Sequence, residues 1–214
     1  MTAPQHLKET YTMNTGVPSA RRRRGALAVL AAAAVLALSG CKGGDLVSYD
    51  LPAKSARYTF EAQTDGVKTV WEYTSATATK NGAPSLSPCM GDVLGSNKAA
   101  CRPEPLIFLR YDFDLALDNT APAGKKHEIT VVAYYQESLT ALPKVTSLKA
   151  ETTFDGGRTW HPATTRAAGK DTFTATIDNP LRDKAPGGVG LRISATDSQG
   201  DTVRQTIPTA YTLR

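Results

Sequence analysis

The sequence predicts an all-β protein: an immunoglobulin/fibronectin-like β-sandwich with an N-terminal β-hairpin annex, set behind a helical signal peptide. Three observations carry this reading. Past residue 50, apolar and polar residues alternate with a period of two, the mark of half-buried strands. From residue 106 the alternating runs recur about every ten residues, the spacing of sandwich strands. Turn residues separate the runs, and 17 glycines and 13 prolines in 214 residues suit many turns. No segment after residue 40 shows a helical period.

The first element is the apolar run. Arg21, Arg22, Arg23 and Arg24 precede an uncharged stretch at residues 25–37 (GALAVLAAAAVLA), and Leu38-Ser39-Gly40-Cys41 follows it. A transmembrane helix needs roughly 20 apolar residues, so the run is short for a span. A charged head, a short apolar core and small residues at its end make a cleavable signal. The ending looks like the lipobox of a bacterial lipoprotein signal. Small residues let the chain enter a peptidase extended, and the Cys41 thiolate is the nucleophile that takes diacylglycerol. Residues 1–20 are polar and without pattern, and Met13 offers a second start that leaves a signal of ordinary length.

Removal of residues 1–40 changes the charge balance. The chain carries 25 basic and 20 acidic residues, of which Lys8, the four arginines and Glu9 precede Cys41. The remainder holds twenty bases against nineteen acids, so the basicity belongs to the signal. That balance gives no electrostatic basis for nucleic-acid binding.

Three cysteines are odd in number for an exported chain. Lipid on Cys41 leaves Cys89 and Cys101, which an oxidising compartment favours as a disulfide. It closes a Gly/Ser/Asn-rich loop and is worth roughly 3 kcal/mol. Two free thiols are the alternative. A metal site lacks a nearby histidine or third cysteine.

A short tether at 41–50 leads to the annex, residues 51–105. There 56–63 and 68–76 alternate on either side of Asp65-Gly66, a hairpin signal. A polar loop at 78–102 holds the two later cysteines. The sandwich, residues 106–214, is expected to contain seven strands: 106–117, 127–136, 144–154, 158–164, 171–178, 189–196 and 202–213.

The residues also carry a resemblance across 56–214. In order come Tyr58-Thr59-Phe60, then Trp71-Glu72-Tyr73-Thr74-Ser75, then a Pro-Leu-x-x-Leu-x-Tyr-Asp strand from Pro105 to Asp112. The hairpin Thr153-Phe154-Asp155-Gly156-Gly157-Arg158-Thr159-Trp160 follows. Last comes Leu191-Arg192-Ile193-Ser194-Ala195-Thr196-Asp197 with Thr206-Ile207-Pro208-Thr209-Ala210-Tyr211. The series resembles the C-terminal, non-catalytic β region of large secreted subtilisin-like serine peptidases of Gram-positive bacteria. The resemblance implies an accessory β domain. The family's Asp-Ser/Thr-Gly, His-Gly-Thr and Gly-Thr-Ser-Met-Ala motifs do not occur, so no catalytic residues are expected and the chain is expected not to be an enzyme. The histidines are His6, ahead of the signal; His127, expected exposed at a strand start; and His161, expected on a hairpin.

Three constellations remain. The hairpin from Thr153 to Trp160 fits an Asp-box, in which Asp155 accepts backbone N–H groups, Gly157 takes a positive φ and Trp160 packs beneath. Asp112, Asp114, Asp118 and Asn119 could offer oxygens to Ca²⁺, but Asp112 and Asp114 on one strand face read as its wet side; no metal is assigned. Asp197 and Asp201 read as turn caps. Trp71, Tyr73, Tyr134, Tyr135 and Trp160 could form a binding platform, although strand aromatics ordinarily fill cores.

The sequence therefore points to a lipoprotein on the outer face of the cytoplasmic membrane. Its only prosthetic group is covalent diacylglycerol on Cys41. It is expected to be a non-enzymatic binding or accessory module whose partners are membrane lipid, through the anchor, and a protein or cell-wall component. The alternative is a displaced accessory domain assisting a separate subtilisin-like protease.

Overall fold

Alternation becomes strand wherever a face can be buried, and here nearly every alternating run does so. The computed structural model describes residues 10–14, 51–82, 99–136, 139 and 141–214. The arginine run, the apolar run, Cys41 and Cys89 lie outside the described residues.

The strands are β1 (Thr10–Asn14), β2 (Ala56–Thr64), β3 (Val67–Ser75), β4 (Phe108–Asp112), β5 (Thr120–Ala121), β6 (Lys126–Tyr134), β7 (Val145–Thr153), β8 (His161–Gly169), β9 (Thr172–Asp178), β10 (Val189–Asp197) and β11 (Thr202–Leu213). One 3-10 turn, Arg182–Lys184, is the only helical element among the described residues. No helix among them is long and apolar enough to cross a membrane.

The protein is all-β, and its strands form one curled sheet. The path runs β1-β2-β3-β11-β10-β7-β8-β9-β6-β4, every neighbour antiparallel, while β5 adds in parallel to the end of β11. The annex hairpin is thus continuous with the rest, because β3 pairs with β11 from Glu72↔Thr202 to Lys68↔Thr206.

A single core lies inside the curl. Ile107, Ile129, Val131, Ala175, Ile177, Val189, Leu191, Ile193 and Val203 are almost wholly enclosed, and Tyr58, Trp71 and Tyr73 of the hairpin join them. Side-chain bonds span the curl. Trp71 Nε1 donates to the Ile107 carbonyl at 2.7 Å. Tyr111 donates to Gln205 at 2.8 Å, and Gln205 in turn donates to Thr69 at 2.8 Å. Tyr211 donates to Asn179 Oδ1 at 2.8 Å.

The turns follow their residues. Asp65 and Gly66 join β2 to β3 with φ of 50° and 79°, the positive pair that a two-residue hairpin turn needs. Gly190 allows close approach: a Cβ there would lie 2.5 Å from Thr153 Cγ2 and 2.6 Å from the Pro208 carbonyl oxygen.

Several details differ from the expectation. Thr10–Asn14, in a stretch without pattern, forms β1 on the edge of β2. Backbone pairing at a sheet edge needs no periodicity, so none was visible. The run 106–117 yields only the five residues of β4: Asp112 Oδ1 accepts the Asp114 N–H at 3.1 Å and Asp114 turns to φ 46°, ending the strand. The strand expected at 158–164 begins at His161 and continues to Gly169, because the Asp-box turn occupies residues up to Trp160. His127, expected exposed, is buried, since it shares the inward phase of Ile129, Val131 and Ala133.

Candidate functional site

The residues of β3, β7, β10 and β11 that point away from the core make the second face of the sheet. On β10, Ile193 and Ala195 are buried while Ser194 and Thr196 face outward; on β3, Trp71 and Tyr73 are buried while Glu72 is exposed. Pairing places Glu72 beside Thr202, Lys149 beside Ser194 and Ser147 beside Thr196. Together with Arg204 and Glu151 they line an open trough of about 620 Å³. Its walls present hydroxyls and both signs of charge. Such a surface can hold an extended polar ligand by hydrogen bonds and ion pairs.

The trough meets the Asp-box hairpin through Glu151. Glu151 pairs with Arg192 at 3.5 Å, and the Arg192 guanidinium lies 3.9 Å from the centre of the Trp160 ring. The hairpin is built locally. Asp155 Oδ1 accepts the N–H groups of Arg158 and Thr159 at 2.9 Å each, and Oδ2 accepts the Thr159 hydroxyl at 2.6 Å. Gly157 takes φ 90°, and Trp160 Nε1 donates back to the Gly157 carbonyl at 3.1 Å. The Thr159 hydroxyl, followed by backbone N–H and the Thr153 hydroxyl, holds the Asp155 carboxyl well below the usual carboxylate range. His161 Nε2 stands 3.5 Å from Thr159 Oγ1. The Thr159 hydroxyl donates to Asp155 Oδ2, so its proton is directed to the carboxylate rather than to His161.

A second polar cluster is buried. Asp197 Oδ1 accepts the N–H groups of Gln199 at 2.8 Å and Asp201 at 2.9 Å, and Oδ2 accepts the Tyr135 hydroxyl at 3.0 Å. Asp201 Oδ1 accepts the Thr74 N–H at 3.0 Å and Arg57 Nη1 at 3.3 Å. The expected turn caps therefore also fasten the β10–β11 turn to the β2–β3 hairpin and to Tyr135. Their Asp-Ser-Gln-Gly-Asp spacing signalled the turn; nothing local signalled the burial or these distant partners.

Other expected residues divide plainly. Trp71, Tyr73 and Tyr135 are buried and Tyr134 is exposed, so the five aromatics share no platform. His127 Nε2 donates to the Phe113 carbonyl at 2.8 Å, with its ring against Tyr211. His161 is exposed on the hairpin side, stacked on Phe154. Asp112 and Asp118 spend oxygens on local N–H groups, Asp118 also on the Thr120 hydroxyl at 2.6 Å. No group of three or more His, Cys, Asp or Glu suited to a metal occurs among the described residues.

Cys101 is disulfide-bonded. Assigning Cys41 to lipid makes Cys89 its expected partner. The intact mass of residues 41–214, made without lipid, should rise by two hydrogens on reduction. Tryptic mapping of the unreduced protein should find the 89–101 link; a Cys41–Cys101 link would contradict it.

No family model, curated protein or solved structure matches the chain.

Proposed function

We propose that the chain is an extracytoplasmic lipoprotein, a non-enzymatic β-sandwich module tethered by diacylglycerol on Cys41 to the outer face of the cytoplasmic membrane. The observation that carries this reading is the order at 21–41: four arginines, thirteen uncharged apolar or small residues, then Leu-Ser-Gly-Cys. Two acyl chains would make the tether stable, at about 0.8 kcal/mol per buried CH₂. Residues 51–214 then form the working part. Its ligand is an extended polar chain, a protein segment or a wall polymer, held in the trough by Glu72, Lys149, Glu151 and Arg204.

The sandwich reading is supported by the pairing order. β4-β6-β9 form one run and β7-β10-β11 the other, the arrangement of an immunoglobulin-like Greek key. β8 pairs with β7 through Ala163, Pro162 and His161 and with β9 from Thr164 onward, so it passes between the two runs. Tyr111–Gln205 and Tyr135–Asp197 link one run to the other.

The anchor is tested by Cys41→Ser. The variant should leave the membrane fraction or accumulate as unprocessed precursor. Retention at the membrane with the wild-type N-terminus would sink the lipid reading. The resemblance of residues 56–214 to peptidase accessory regions carries a second reading, assistance to a separate protease. Affinity capture from membranes with lipidated bait separates the two. A subtilisin-like protease favours the accessory role, and wall polymer favours direct binding.

A further inference from the structure

The two ends of the sheet are unlike. β4, at one end, is five residues long and stops at the Asp112–Asp114 turn, a short and charged edge that discourages pairing. β2, at the other, pairs with β3 over nine residues without a register shift and contains no proline. Such an edge is a ready template for another strand. In this structure it is occupied by the chain's own β1, in the register Thr10↔Gln63, Tyr11↔Ala62, Thr12↔Glu61, Met13↔Phe60 and Asn14↔Thr59. β1 lies on the N-terminal side of Cys41 and would leave with the signal.

We infer that residues 10–14 are a removable edge cap: they cover β2 in the precursor, and processing at Cys41 exposes Thr59–Gln63 as an acceptor for an extended, uncharged segment of the same kind. The consequence for function rests on the lipoprotein reading; the cap itself does not. Strand addition draws its affinity from main-chain hydrogen bonds. A segment such as Thr-Tyr-Thr-Met-Asn therefore needs only extended backbone and no charge opposed to Glu61, which is held by Lys68 at 2.7 Å. The cap prevents edge-to-edge association while the precursor awaits export, and its loss couples exposure of the edge to arrival at the membrane. A chain begun at Met13 would keep only two of the five cap residues.

Amide exchange on the full chain, made in the cytosol without lipid, tests the cap independently of processing. Thr12→Pro with Met13→Pro removes two consecutive N–H groups, one of which faces β2 in any antiparallel register. In the parent, every second amide of residues 59–63 should exchange at least about tenfold more slowly than in the double variant, with β10 amides equally protected in both. Equal exchange at 59–63 overturns the cap. A synthetic peptide of residues 8–16 added to residues 41–214 should restore the slow exchange at the same amides. Its failure to do so overturns the acceptor role. Neither result bears on whether Cys41 carries lipid, which the Cys41→Ser experiment reads separately.

Discussion

Trp71→Ala should destabilise the folded protein by about 3–5 kcal/mol, the range for deleting a large buried aromatic. Trp71 is buried, stacks on Phe60 at 5.4 Å and meets Phe108 edge-on at 5.9 Å. Its indole N–H satisfies the carbonyl of Ile107, itself only 1% exposed. The side chain thus joins the hairpin to the segment leading into β4 across the curl. Trp71→Phe keeps most of the apolar contact and strands the carbonyl, which costs roughly 1–3 kcal/mol. Urea unfolding followed by far-ultraviolet circular dichroism reads both. A loss under about 1 kcal/mol for the alanine variant would mean that the hairpin packs independently of the core.

Asp197→Ala should cost roughly 3 kcal/mol or more, because it leaves two turn amides and a buried hydroxyl without acceptors. Asp197 is 2% exposed, and Tyr135, Gln199 and Asp201 all donate to it. Asp197→Asn retains the carbonyl oxygen for the turn and should lose much less. Its neighbour Asp201 adds a pH signature. Burial, outweighing the Thr74 N–H and Arg57, raises the Asp201 pKa above the ordinary carboxylate value. The folded state then holds that proton more tightly than the unfolded state. Its contribution to stability accordingly falls as pH rises from the ordinary value through the raised one. Asp155 works in the opposite sense: its lowered pKa contributes stability above the ordinary carboxylate value, which is lost as pH falls through the depressed one. Asp201→Asn should remove the first slope and leave the second. Urea midpoints measured from acid to neutral pH check this, and an unchanged slope in Asp201→Asn would contradict it.

What could be read in the sequence was what short-range chemistry decides. Asp65-Gly66 specifies its turn by needing two positive φ values. Asp155, Gly157 and Trp160 close their hairpin within eight residues. The strands at 189–197 and 202–213 follow from alternation that holds over 191–197 and at both ends of 202–213. What escaped depends on partners distant in the chain. His127 carries a polar ring but stands in phase with Ile129 and Val131, and the phase decided its place. Asp197 and Asp201 announced a turn, while their burial came from Tyr135, Arg57 and Thr74. The trough assembles side chains from β3, β7, β8, β10 and β11, so no contiguous motif marks it. β1 pairs with β2 from Thr10↔Gln63 to Asn14↔Thr59, and no apolar period in the sequence marks it.

As proposed above, Cys41 is the N-terminal, lipid-bearing residue of a membrane-held β module. Mass spectrometry of the N-terminal peptide of protein extracted from membranes reads this directly. The expected result is a peptide beginning at Cys41 and carrying diacylglycerol on Sγ. An unmodified Cys41 within a peptide that continues into residues 25–40 would contradict it.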